Sequence, residues 1–239
     1  MTGITSTFVL VPGAWQGGWA WQPVARRLRA AGHEALTVTL PGLADGDSPV
    51  GLRLSDAVEH VVHEITRRGL EDITLVAHSW GGYPVTGAVH ELNRLGHRVA
   101  KVVYYNALVP ARGVPLIDEN ADYSVMLRAA IDASPDRSVS VVWEQVPLLL
   151  PDQAEDAQRL FFELLMPQPG AYFLDALDVP DVASLGIPAA YIRSETDLAL
   201  ARPATEFAAR LGLTPVTVAG SHQSMLTHPD ELAEALLKV

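Results

Sequence analysis

Apolar positions recur along the chain with two alternating periods, and the alternation outlines a fold. Thr7–Val11 is a short apolar run closed by Pro12-Gly13, which predicts a buried strand ended by a turn. Trp21, Val24, Ala25 and Leu28 then fall at helical spacing, and the pattern stops at Gly32. Ala35–Leu40 predicts a second strand, closed by Pro41-Gly42. Val58, Val61, Val62 and Ile65 share one face of a helix running to about Arg68, with Ser55 as its expected cap. Ile73–Ala77 is the next strand, followed by a helix over Gly82–Leu95 and a strand over Val99–Tyr105. Ala189–Ser194 and Thr214–Ala219 predict two more strands around a helix at Pro203–Leu211, and a last helix covers Pro229–Lys238. Near-continuously apolar strands that alternate with helices imply an α/β fold, a mostly parallel central sheet with helices on both faces.

The rhythm breaks between residues 111 and 180. This stretch carries helical patterns at Val125–Ile131 and Gln153–Leu165, with several prolines. It lies between two sheet strands, so it reads as a mainly helical cap inserted over the C-terminal ends of the strands. The organisation is then a core of residues 1–110 and 181–239 with a cap of residues 111–180. Most apolar side chains of the cap are expected to build its own core, with Trp143 and Met166 expected to face the cleft.

Between the third strand and its helix the chain reads Ala77-His78-Ser79-Trp80-Gly81. This is one residue away from the G-x-S-x-G nucleophile elbow, with Ala77 in place of the first glycine. The spacing has a physical cause. The strand-to-helix turn is sharp, so the residues two before and two after the serine are small, and the serine takes a strained conformation that projects its hydroxyl. The helix behind it directs its N-terminus at the site, where developing negative charge is favoured.

A serine hydroxyl is a poor nucleophile at neutral pH unless a base takes its proton and an acid orients that base. Behind such an elbow the partners follow in the order acid, then histidine. His222 stands after the last predicted strand and a Gly220-Ser221 turn, and is the expected base. His33, His60, His63, His90 and His97 lie on or beside predicted helices, and His228 precedes Pro229 as a turn residue. His78 neighbours the serine, but strand alternation points its side chain away. The loop after Ala189–Ser194 offers two carboxylates, Glu195 and Asp197; Asp197, further into the loop, is favoured. Asn106, after the earlier strand, cannot carry the acid's charge. The oxyanion donors are expected to be the backbone N–H groups of Trp80 and Ala14, since Pro12 has none to give. Trp15 in the same loop is expected to border the substrate pocket.

Composition narrows the partners. The chain has 239 residues, 49% hydrophobic, enough for one packed α/β domain. Its net charge is -11 with no basic cluster, which argues against a nucleic-acid or anionic-membrane partner. Cysteine is absent, so thiolate chemistry and disulfides are excluded. The opening Met1-Thr2-Gly3-Ile4 runs into a strand without a basic and apolar leader, and no apolar run reaches the length of a membrane span; a cytoplasmic location is expected.

With these residues in hand, the chain resembles the α/β-hydrolase superfamily over essentially its whole length. More narrowly, it is similar to the branch holding plant-type methylesterases, hydroxynitrile lyases and pyrethroid-type esterases. The likeness lies in Phe8–Trp21, in His78-Ser79-Trp80-Gly81-Gly82, in Ala107-Leu108-Val109-Pro110 and in His222–Leu226. Three departures matter. The family usually has His-Gly where this chain has Pro12-Gly13. The lyases place a threonine at the position of Gly13 and a lysine at that of Gln223, so the resemblance implies an esterase rather than a lyase. Resembling epoxide hydrolases and dehalogenases carry an aspartate where Ser79 stands. The expectation is a serine hydrolase for a carboxylic ester or lactone of a largely apolar small molecule, working without metal or organic cofactor. The competing readings are acyl transfer or C–C cleavage with the same triad, and a ligand-binding module that lost turnover.

Overall fold

The computed structural model describes residues 5–239, and Met1-Thr2-Gly3-Ile4 lie outside them. Strands β1 (Thr7–Val11), β2 (Glu34–Thr37), β3 (Ile73–His78) and β4 (Val99–Tyr105) come first in the chain. Helices α1 (Gln22–Ala30), α2 (Leu54–Thr66) and α3 (Gly82–Arg94) intervene. Next come α4 (Ala121–Ala133), β5 (Ser138–Val139), α5 (Val146–Leu149), α6 (Glu155–Glu163), β6 (Gln168–Pro169) and α7 (Ala171–Leu174). The chain returns with β7 (Ala189–Ser194), α8 (Ala204–Ala209), β8 (Val216–Val218), α9 (Ser224–Thr227) and α10 (Pro229–Lys238).

Six strands form one sheet in the order β2-β1-β3-β4-β7-β8. All five pairings are parallel. Parallel strands need a crossover, and the helices supply it while burying both faces. On one face Val9, Val11, Leu75, Ala77, Val102 and Tyr104 pack towards α2 and α3. Their alternates Phe8, Leu10, Val76, Val103 and Tyr105 pack towards α1 and α10. Residues 111–180 pair β5 with β6 as a small antiparallel ribbon and hold a satellite core around Val141, Val146, Leu150 and Phe161.

The differences from the sequence expectations are local. Strand β2 stops at Thr37, where the chain turns off the sheet edge, rather than at Leu40. Ser55 does not cap α2. The cap residue is Arg53, whose backbone N–H is taken by the Asp56 carboxylate at 2.6 Å. An acid three residues into the helix reaches the cap N–H better than a serine already inside the first turn. Among the described residues no helix is long and apolar enough to cross a membrane.

Candidate active site

Strand β3 ends at His78, and the chain turns at once into α3 through Ser79. Ser79 has φ +52°, a left-handed conformation costly for a residue with a Cβ. The backbone over-determines it: Ser79 N–H donates to Asn106 C=O at 3.1 Å, and Leu108 N–H donates to Ser79 C=O at 3.0 Å. The small residues are required by close approach. A Cβ on Gly81 would lie 2.5 Å from the Pro12 carbonyl oxygen, and one on Gly82 would lie 1.8 Å from that of Leu108. The Ala77 methyl is fully buried without disturbing β3, which explains why alanine serves there.

His222 follows β8 and is almost wholly buried. Its Nδ1 lies 3.0 and 2.9 Å from the two oxygens of Asp197. A carboxylate only accepts, so in the neutral ring Nδ1 carries the proton and Nε2 is left bare. Asp197 also accepts the Ala199 N–H at 2.9 Å, which fixes its rotamer. Glu195 is exposed and lies outside this arrangement. Ser79 and His222 share a cavity of about 230 Å³. The loops after β1, β3, β4, β7 and β8 contribute Ala14, Trp80, Leu108, Leu198 and His222 to its wall. The inserted segment contributes Leu116, Met126, Val139, Leu148 and Phe173. Among the described lining residues none is Asp, Glu, Lys or Arg.

Trp80 and Ala14, the residues whose backbone N–H groups are expected to bind an oxyanion, are among those that line this cavity. Trp80 stands in the first turn behind Ser79, where N–H groups have no intrahelical acceptor. Ala14 lines the cavity, whereas the next N–H, that of Trp15, is committed to Gln168 Oε1 at 2.8 Å. Trp15 also lines the cavity.

Two pocket expectations are corrected. Trp143 does not line the cavity: it packs edge-on to Phe162 with the Arg159 guanidinium 4.9 Å over its ring. Met166 packs against the main core while its N–H donates to Trp15 C=O at 2.9 Å. Trp143 is spent on packing within the insert, and Met166 on joining the insert to the core and the loop after β1. Their places are taken by Leu148, Leu149 and Met126, which present apolar side chains from helices. The helical pattern at Val125–Ile131 covers Met126 without saying which turn faces the cleft, and no helix is expected from the sequence at Leu148 and Leu149.

Sequence reasoning also missed the support beneath His222. Strand alternation turns His78 off the nucleophile's side, yet its Nε2 lies 3.0 Å from the His222 carbonyl oxygen. Its ring stacks on Tyr105 and touches the His222 ring at 4.7 Å between centroids. Burial holds its pKa well below the ordinary histidine value, so the ring is neutral. Asn106 also acts here. Its Nδ2 donates to Ser194 Oγ at 2.9 Å and reaches the Ser221 and His222 carbonyls at 3.4 and 3.3 Å. The side chain that cannot serve as an acid therefore ties β4, β7 and the histidine loop together.

Comparison with known proteins agrees with this fold. Residues 8–235 match the alpha/beta hydrolase family model, and the chain belongs to that family. Its similarity runs to the esterase branch. It is 37% identical over 114 residues to a carbendazim hydrolyzing esterase of Nocardioides sp., covering 47% of this chain and 46% of that one. The chain thus spans about half the length of that relative. It is 24% identical to Methylesterase 18 of Arabidopsis thaliana, over 97% of this chain and 95% of that protein. Among solved structures, an extracellular alpha/beta-hydrolase from a Paenibacillus species superposes with a TM-score of 0.90 at 23% identity, covering 98% of both chains.

Proposed function

We propose that the protein is a serine hydrolase that cleaves a carboxylic ester or lactone of a largely apolar small molecule through an acyl-enzyme. The observation that carries this reading is that Ser79, strained at its turn, and His222, whose Nδ1 pairs with Asp197, line one cavity. Ser79 Oγ attacks the acyl carbon as His222 Nε2 takes its proton, and Asp197 holds the imidazole and stabilises its charged form. The N–H groups of Trp80 and Ala14 receive the developing oxyanion, each contributing about 3 kcal/mol to barrier lowering. Residues 111–180 serve as the cap that walls the acyl or alcohol group. Esterase activity in the relatives supports the reaction class.

The test is labelling with a fluorophosphonate followed by peptide mass mapping, together with turnover of a panel of p-nitrophenyl and methyl esters. Ser79 is expected to carry the label. Ser79→Ala is expected to abolish turnover with unchanged circular dichroism. Retention of more than a few per cent of kcat by a folded Ser79→Ala variant overturns the reading.

A further inference from the structure

A second, much smaller chamber shares Ser79 and His222 with the large cavity. It measures about 10 Å³, and Gly13, Gln16, His78 and Gln223 line it beside them. That is roughly the space of one water molecule.

Two buried polar atoms belong to the side chains that line this chamber and have no protein partner: His78 Nδ1 and Gln16 Oε1. Both are acceptors. His78 Nε2 faces a carbonyl, which only accepts, so Nε2 holds the proton of the neutral ring and Nδ1 is bare. Gln16 Nε2 donates to Gln223 Oε1 at 2.8 Å, which leaves Gln16 Oε1 free. Gln16 and Gln223 are about 1% and 2% exposed, so neither amide is a surface group whose unpaired atom meets bulk solvent. Buried acceptors without donors are costly, and one water has two O–H groups to give. Gly13 keeps the space beside His78 Nδ1 and Ser79 open. A Cβ there would lie 2.9 Å from His78 Nδ1 and 2.8 Å from Ser79 Cβ.

We propose that this chamber binds the water that hydrolyses the acyl-enzyme, held between Gln16 Oε1 and His78 Nδ1, with Gln223 fixing the Gln16 amide. The inference rests on the serine-hydrolase reading above. The His78 and His222 rings are 4.7 Å apart, so a small reorientation moves one O–H from His78 Nδ1 to His222 Nε2 while the other stays on Gln16. His222 then takes that proton as the water oxygen bonds to the acyl carbon, and the carbonyl electron pair moves to the oxyanion. On collapse the acyl carbon–Oγ bond breaks, its pair stays on Oγ, and His222 returns the proton to Ser79. The carboxylic acid and free enzyme result.

The experiment is a competition for one acyl-enzyme. Enzyme turns over p-nitrophenyl acetate in the presence of 1-butanol, and the ratio of acetate to butyl acetate is read by gas chromatography. Butanol is too large for the chamber and must come from the apolar cavity. Gln16→Leu is expected to lower the acetate to butyl acetate ratio by about tenfold, the worth of one hydrogen bond to the attacking water. Its fluorophosphonate labelling rate at Ser79 is expected to stay within about threefold of wild type, because acylation uses no water. Gln223→Leu, which frees the Gln16 amide, is expected to shift the ratio the same way by a smaller factor, and decides the matter if Gln16→Leu does not fold. An unchanged ratio in a variant that still labels overturns the water site alone. Absence of labelling in wild type overturns the hydrolase reading, and the water site with it.

Discussion

Ser79 has a positive φ, and so does Asn106, at φ +41°. The two are linked by the hydrogen bond from Ser79 N–H to the Asn106 carbonyl. Strain at one turn is therefore held by the other, and Asn106 in turn accepts the Ser194 N–H at 2.7 Å through its side chain. Asp197, the proposed acid, sits on the loop that follows this bond. Asp197→Asn is expected to lower kcat by about 10³- to 10⁴-fold, because an asparagine cannot enforce the Nδ1–H tautomer or stabilise imidazolium. Exposed Glu195→Gln is expected to change kcat less than about twofold; steady-state kinetics on one p-nitrophenyl ester compares them, and a larger loss in Glu195→Gln reverses the assignment. His78 adds a dependence of stability on pH. Its folded pKa is depressed by burial, so the unfolded chain binds a proton that the folded chain refuses. The contribution is intact above the unfolded value of about 6.5 and is lost as pH falls below it. His60 and His90 are also lowered, chiefly by burial, and act in the same direction. The unfolding free energy from urea titration is expected to drop between pH 7.5 and 5.5 by about 1.4 kcal/mol less in His78→Gln than in wild type. Equal drops would mean that His78 stays uncharged in both states or titrates freely when folded.

The elements divide the work between a rigid sheet and an insert that braces its loops. Trp15 follows β1 with φ +65°, another strained position. Three hydrogen bonds to the insert hold it: its N–H to Gln168 Oε1, its Nε1 to Val139 C=O at 2.8 Å, and its C=O from Met166 N–H. Trp80 does the same from the other wall. Its Nε1 donates to Tyr172 C=O at 3.1 Å, and its ring stacks on Tyr172 at 4.9 Å. The β5–β6 ribbon and α7 thus position the loop that presents Ala14. Gln168 is fully buried, so Gln168→Leu leaves the Trp15 N–H unpaired and frees the loop. Such a variant is expected to lose about tenfold in kcat, with KM for a short ester changed little, because the oxyanion donor acts in the transition state. A loss confined to KM would place Gln168 in substrate binding instead. This is also where the sequence stopped being legible. The strands of the sheet, the elbow, His222 and Asp197 follow from period, turn residues and chain order, all local signals. The bracing depends on Gln168 meeting Trp15 across 153 residues, and on Gln16 meeting Gln223 across 207. No periodicity encodes such pairs. The same limit explains Trp143 and Met166: their apolar character was plain, but Trp143 is covered by the insert's own Phe162 and Arg159, and Met166 by the main core.

At the scale of the molecule, charge and cavity are separated. The chain carries a net charge of -11, and its ion pairs lie mostly on exposed helix faces. An exception is Glu119, buried under Arg210 and Arg202, which ties the start of the insert to the two ends of α8. Glu119→Gln breaks that cluster and is expected to cost about 3 kcal/mol in denaturant unfolding, the low end for a broken buried pair, because both arginines keep access to water. No such charge reaches the described lining of the main cavity. Its rim continues as exposed Val142, Leu148 and Leu198, so an apolar group meets apolar surface from mouth to nucleophile. An anionic substrate would have to shed water without gaining a cation, and would approach a negatively charged protein. kcat/KM is therefore expected to be higher for neutral aromatic or medium-chain esters than for succinate-like or phosphorylated esters of similar size. Along a series of straight-chain acyl groups it is expected to rise by up to about 0.8 kcal/mol of transition-state stabilisation per methylene until the cavity is full. A p-nitrophenyl ester series measured at one ionic strength checks both. Anionic esters outranking neutral ones would require a cationic group to reach the cavity from outside its present walls.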